Sequence, residues 1–149
     1  MADTREVLLA RLVTVCGAVE GVRAVGRNTL DVAALNRPAV IVQDGIEQMR
    51  DLANGARYSE IGRMELSPSV TVFVRAGNGV DPGGLMSLYR SRVVLAVLTD
   101  AELIAATGRN GGIRYEGCVA MAPDAETKEH RLDLTFVFAY TWKLDDLAA

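Results

Sequence analysis

A single histidine and two cysteines among 149 residues leave little with which to build a metal centre or a nucleophile–base pair. A histidine-based metal site is excluded on numbers alone, since the lone His130 would need carboxylate or thiolate partners at ligand spacing. No Ser or Cys in a nucleophile-like context accompanies it, so it reads as a solvated residue of the polar turn Glu126 to Arg131 rather than a general base. Cys16 falls in a helical pattern and Cys118 in a strand pattern; both are expected as small buried apolar groups, with no disulfide framework. Long hydrophobic runs are also missing. The longest, Val93 to Leu98, is far too short to span a bilayer, and no basic segment precedes an apolar one near Asp3 and Glu6. The expectation is a soluble protein made in a reducing cytoplasm, without a standard signal peptide. Basic clusters are scarce too. With a net charge of −3 and scattered basic residues, among which Arg109 with Arg114 reads as solvated surface, the chain lacks the footprint of a phosphate-gripping protein.

What is present is ordinary globular material: 50% hydrophobic and 23% charged residues, enough for one domain over 1–149. Asp3 with Glu6 three residues later forms a capping-box pattern ahead of Val7, Leu8, Leu12, Val15 and Val19, which recur at helical spacing. Gly21 is a stop, and Val22 to Asn28 a short strand. Pro38 introduces the β-branched run Ala39 to Val42, which Asp44-Gly45 would turn or bulge. Residues 46–60 are polar and mixed, with Asn54-Gly55 in the middle, and predict a long hairpin arm or loop near residues 46–63. From Arg63 the alternation is regular, but Pro68 cannot donate to a ladder and predicts an edge or bulged strand. Asp81-Pro82 opens a helix. Thr99 with Glu102 marks a second capping box for a short helix from Asp100 to Ala106, and Gly108 suits the position after its end. Leu132, Leu134, Phe136, Phe138, Tyr140 and Trp142 then alternate on a final strand. The order α-β-β-β-α-α-β-β predicts an α+β fold, a mostly antiparallel sheet with helices packed on one face.

Three further patterns invite chemistry and are better read as structure. The glycines from Gly77 to Gly84 precede a helix, but they match no phosphate-binding motif, and Asp81 caps the helix where a phosphate would sit. Asp145-Asp146 reads as solubilising charge. The aromatic stripe Phe136 to Trp142, flanked only by Arg131 and Lys143, reads as core rather than as a stacking platform for nucleic acid. No enzyme is expected, and neither a cofactor nor a metal.

The combination of Val-x-x-Val-x-Arg-Asn (Val22 to Asn28), Arg-Pro-Ala-Val-Ile-Val-x-Asp-Gly (Arg37 to Gly45) and Leu-Ser-Pro-Ser-Val-x-Val (Leu66 to Val72) resembles a small neck or tail protein of tailed bacteriophages. Thr-Gly-x-Asn-Gly-x-Ile-Arg-Tyr-Glu-Gly (Thr107 to Gly117) and the closing aromatic strand fit the same family. Within it the chain most resembles the tail terminator, also called the tail completion or minor tail protein, from about Asp3 to Trp142. The resemblance implies a virion protein assembled in the host cytoplasm as a homo-oligomeric ring, usually of six subunits. Such a ring caps the major tail tube protein, stops its polymerisation and meets the head–tail connector or stopper protein. DNA passes through the opening without specific binding, and no membrane is involved. It implies a sheet with helices on one side, no cofactor and no catalytic residue. Exposed strand edges are natural places to add a neighbour, so subunit or tube contacts are expected on the arm Ile46 to Glu60, with Arg50, Arg57, Tyr58 and Arg63. The strand residues Arg114, Tyr115 and Glu116 are a second expected contact. The alternatives are a head-completion or stopper neck protein, and a non-phage α+β binding domain or small enzyme.

Overall fold

The computed structural model describes residues 3–52, 61–75, 77, 79–123, 126, 128–144 and 147. Helix α1 (Thr4–Gly17) begins where predicted, the Asp3 carboxylate accepting from the Arg5 N–H at 3.1 Å. Its inward stripe is Leu8, Leu9, Leu12, Val15 and Cys16, with Val19 just beyond. Val7, expected in that stripe, is 41% exposed, because Leu9 and Cys16 rotate the buried face away from it. The helix ends at Gly17 rather than Gly21.

Strand β1 (Ala24–Arg27) pairs parallel with the start of β2 (Ala39–Leu52), the crossover between them carrying one 3₁₀ turn at Val32–Ala34. β2 runs antiparallel to β3 (Ile61–Arg75). Helices α2 (Pro82–Thr99) and α3 (Ala101–Thr107) follow, then β4 (Gly112–Met121) and β5 (Glu129–Lys143). The sheet order is β1-β2-β3-β5-β4, antiparallel except for the first pair. The predicted hairpin arm is therefore real over its described part: residues 46–52 and 61–63 are paired strand. Residues 53–60, including Asn54-Gly55, lie outside the described residues, as do Asp145 and Asp146.

All three helices lie on one face. Val40, Val42, Met64, Leu66, Val70, Val72, Val74 and the β5 row Leu132, Leu134, Phe136, Phe138 and Tyr140 form one buried cluster with the α1 stripe, Tyr89, Val93, Val97 and Leu103. At about 1.5–3 kcal/mol per large apolar side chain, this cluster is the main stabilising element of the fold. The aromatic stripe is thus core, with Trp142 at its margin.

Three local expectations change. Pro68 stands in the central strand, not at an edge. Pairing on both sides skips it, and the irregularity is carried by β2, which spends Asp44-Gly45 as a bulge opposite. Asp100, not Thr99, caps α3: its carboxylate accepts from the Leu103 N–H at 2.9 Å, while the Thr99 hydroxyl donates to the Leu95 carbonyl. Cys118 is exposed on β4, whereas Cys16 is buried and its thiol is pushed up to about 12 by desolvation. Between the end of α3 at Thr107 and the start of β4 at Gly112 the chain reverses, and the reversal needs Gly111. A Cβ there would lie 2.1 Å from the Thr107 carbonyl oxygen and 2.3 Å from that of Ala139.

Candidate functional site

Alternation along β2, β3 and β4 sends one set of side chains to the helix-free face, where several of the expected contact residues meet. Glu65 on β3 receives the Arg50 guanidinium from β2 at 3.4 Å and the Arg114 guanidinium from β4 at 3.3 Å. Arg114 also donates to Glu116 at 2.8 Å, and that hydrogen bond is the chief cause of its raised pKa. Glu116 is within reach because β4 is irregular between Tyr115 and Gly117, which turns its side chain back toward Arg114. Arg63, two residues before Glu65, is exposed on the same face. In register beneath the cluster lie Val137, opposite Arg114, and Ala139, opposite Glu65, both buried.

Glu65 is the hub, and sequence alone marked it only as an outward position. Its role depends on three cross-strand registers, β2 to β3, β3 to β5 and β5 to β4, which no local pattern encodes. Tyr115 does not join the cluster. It points to the helix side, its ring 5.5 Å from that of Phe136 and tilted by 43°, and burial pushes its phenol up to about 12. Arg57 and Tyr58 lie outside the described residues.

A second network ties the α1 start to the sheet. The Arg27 guanidinium reaches Glu6 at 2.7 and 2.9 Å and Asp44 at 2.8 and 3.1 Å, while Arg5 adds a 3.2 Å contact to Asp44. Hydrogen bonding to Arg27 is the largest cause holding both carboxyls below their ordinary values, against some opposing desolvation. Depressed folded-state values mean stability that is present at neutral pH and lost as pH falls through the carboxylate range. Both acids are partly solvated, so the effect is modest. Arg27→Met is expected to lower the melting temperature by roughly 2–4 °C at pH 7, and by much less near pH 3. Thermal melts at the two pH values check this, and an equal shift at both would contradict it.

Two concave surfaces among the described residues are large enough to consider. A cleft of about 390 Å³ between α1, α2 and the start of α3 is lined by Arg11, Thr14, Thr99 and Asp100 among small apolar residues. Its charged groups satisfy one another, Arg11 gripping Asp100 at 2.7 and 3.0 Å. Its threonine hydroxyls donate to helix carbonyls of Ala10 and Leu95, which leaves no activated nucleophile there. The other is an apolar groove of about 570 Å³ between α2 and the β4 edge, lined by Arg90, Val94, Leu95, Leu98 and Tyr115. Among the described residues no group of three or more His, Cys, Asp or Glu is placed to hold a metal ion. Likewise, no described helix is long and apolar enough to cross a membrane. His130 is the second residue of β5, opposite Val74, rather than part of the preceding turn.

No protein-family model matches the chain, and no curated protein matches it.

Proposed function

We propose that this chain is a structural virion protein, a tail terminator that forms a ring on the head-proximal end of a phage tail. The ring would end polymerisation of the tube protein and present its other side to the connector or stopper. The observation that carries this reading is the open sheet with all its helices on one face. Its two edges, β1 and β4, are unlike and, among the described residues, both unpaired on their outer sides. Copies joined through them make head-to-tail contacts, which close into rings or continue as filaments. The architecture is also the one that the sequence resemblance implies.

The helix-free face suits a passive role. Its arginines at positions 50 and 114 are engaged by Glu65 and Glu116 rather than free for phosphates, so a passing duplex gains little from releasing counterions there.

Native mass spectrometry with negative-stain imaging, of the protein alone and with polymerising tube protein, tests the reading. Six-membered rings with a DNA-sized opening that cap tubes at one end are the expected result. Twelve-membered rings would move the protein to the head side. A strict monomer that leaves tubes uncapped would overturn the assignment. The arm makes a second expectation: deletion of residues 51–57 should leave a folded monomer that does not assemble.

A further inference from the structure

The molecule carries a knob and a hole at opposite edges of one sheet. The knob is Leu30, fully exposed three residues beyond β1. The segment that carries it is held at several points. The Asn28 N–H donates to the Val42 carbonyl, the Asn28 side chain accepts from the Asp44 N–H, and Thr29 packs at Gly26. The corner is thus pinned on both sides of β1's end, and Leu30 is presented rather than dangling.

The hole is the α2/β4 groove. Besides the 570 Å³ already described it continues into a further 230 Å³ lined by Met86, Cys118 and Ala120, and Arg90 borders both parts. Leu95 on its wall is 66% exposed, and β4 offers an unpaired outer edge alongside.

Charge matches as well as shape. Asp31, adjacent to Leu30, caps nothing and has no ion-pair partner among the described residues; Arg90 in the groove likewise has none. Four inter-strand spacings, about 19 Å, separate β1 from β4, so the two surfaces cannot meet within one copy.

We infer that the α2/β4 groove of one copy receives the Leu30–Asp31 corner of a second copy, with Asp31 set against Arg90. Knob and hole are different surfaces, so each copy has one of each to offer and the contact propagates instead of stopping at a pair. This rests on the ring reading only for the number at which the chain of contacts closes.

The two native cysteines make the test direct, because Cys118 lines the groove while Cys16 is buried. In Leu30→Cys, mild oxidation with copper phenanthroline at high protein concentration should give a ladder of disulfide-linked dimers, trimers and larger species. Adding Cys118→Ser should abolish it. Linkage that stops at dimers and survives Cys118→Ser would mean corner-to-corner pairing and overturn the inference. Leu30→Asp, at a fully exposed position, should melt like the wild type yet self-associate about tenfold more weakly or worse. Rings that form normally in Leu30→Asp, with no ladder in Leu30→Cys, would sink the groove contact and leave the ring reading standing. Absence of both ladder and rings, with tubes left uncapped, would remove both. A ladder closing at a number other than six would uphold the groove and correct the ring.

Discussion

Gly45→Ala is expected to destabilise the protein by about 3 kcal/mol or more, a severe loss for the addition of one methyl group. Gly45 has φ = 72°, in the left-handed region that L side chains avoid. A Cβ at this position would stand 2.0 Å from the Ser67 carbonyl oxygen, 2.8 Å from its carbon and 3.0 Å from the Pro68 Cα. All three atoms are backbone of the central strand, so they cannot turn aside as a side-chain tip would. The bulge must either open or drag β3 with it, and either movement disturbs Asp44, through which Arg27 and Arg5 are held. Chemical denaturation would measure the loss. A cost below about 1 kcal/mol would show that the bulge can migrate along β2 and that Gly45 does not fix it.

Arg37→Met should cost about 2–4 kcal/mol. The Arg37 side chain is only 8% exposed and donates to the Glu129 carboxylate at 2.6 Å and to the carbonyls of Val32 and Leu35. It also lies over the Phe73 ring, 5.6 Å from its centroid. Methionine keeps much of the packing but leaves two carbonyls and a largely buried carboxylate short of donors. Arg75, 3.5 Å from the same carboxylate, holds the loss below that of a fully orphaned charge. Combining Arg37→Met with Glu129→Gln should recover part of the loss, which a double-mutant cycle on unfolding free energies would read. Strict additivity would show that the carboxylate is not what the arginine stabilises.

Much of the fold was legible because its strong signals are local. Asp3 and Asp81 cap the helices that they were expected to cap, and the alternation from Leu132 to Trp142 matches the buried row of β5. Asp44-Gly45 reads from sequence as a turn or a bulge and Pro68 as the mark of an edge or bulged strand; the structure takes the bulge in the first case and an irregular mid-sheet position in the second. The two facts are one: a bulge in the neighbouring strand is what lets a proline sit in mid-sheet. Residues 46–50 concealed their strand because both faces there are largely exposed, so no alternation develops. Thr99 and Asp100 are adjacent cap-competent residues, and the choice between them was made at a distance by Arg11 on α1. The charged cluster was half visible. Arg50, Arg114 and Glu116 were picked out from their segments, but Glu65, which gathers them, is defined by pairings that span 15 and 49 residues of sequence.

The order of strands also dictates when this molecule can exist at all. β5, the last of the described strands along the chain, is inserted between β3 and β4, and it pairs with β3 from Ile61 to Arg75, missing only Ser67 and Pro68. Until the ribosome has released it, β3 presents a bare edge, β4 has no partner, and half of the apolar face opposite the helices is missing. Such a topology places the decisive contacts far apart in sequence, which slows closure of the sheet and leaves sticky edges during synthesis. Nascent chains therefore have no β4 edge groove to offer a neighbour. The groove proposed above to receive a second copy is complete only when translation has delivered the strand that closes the sheet.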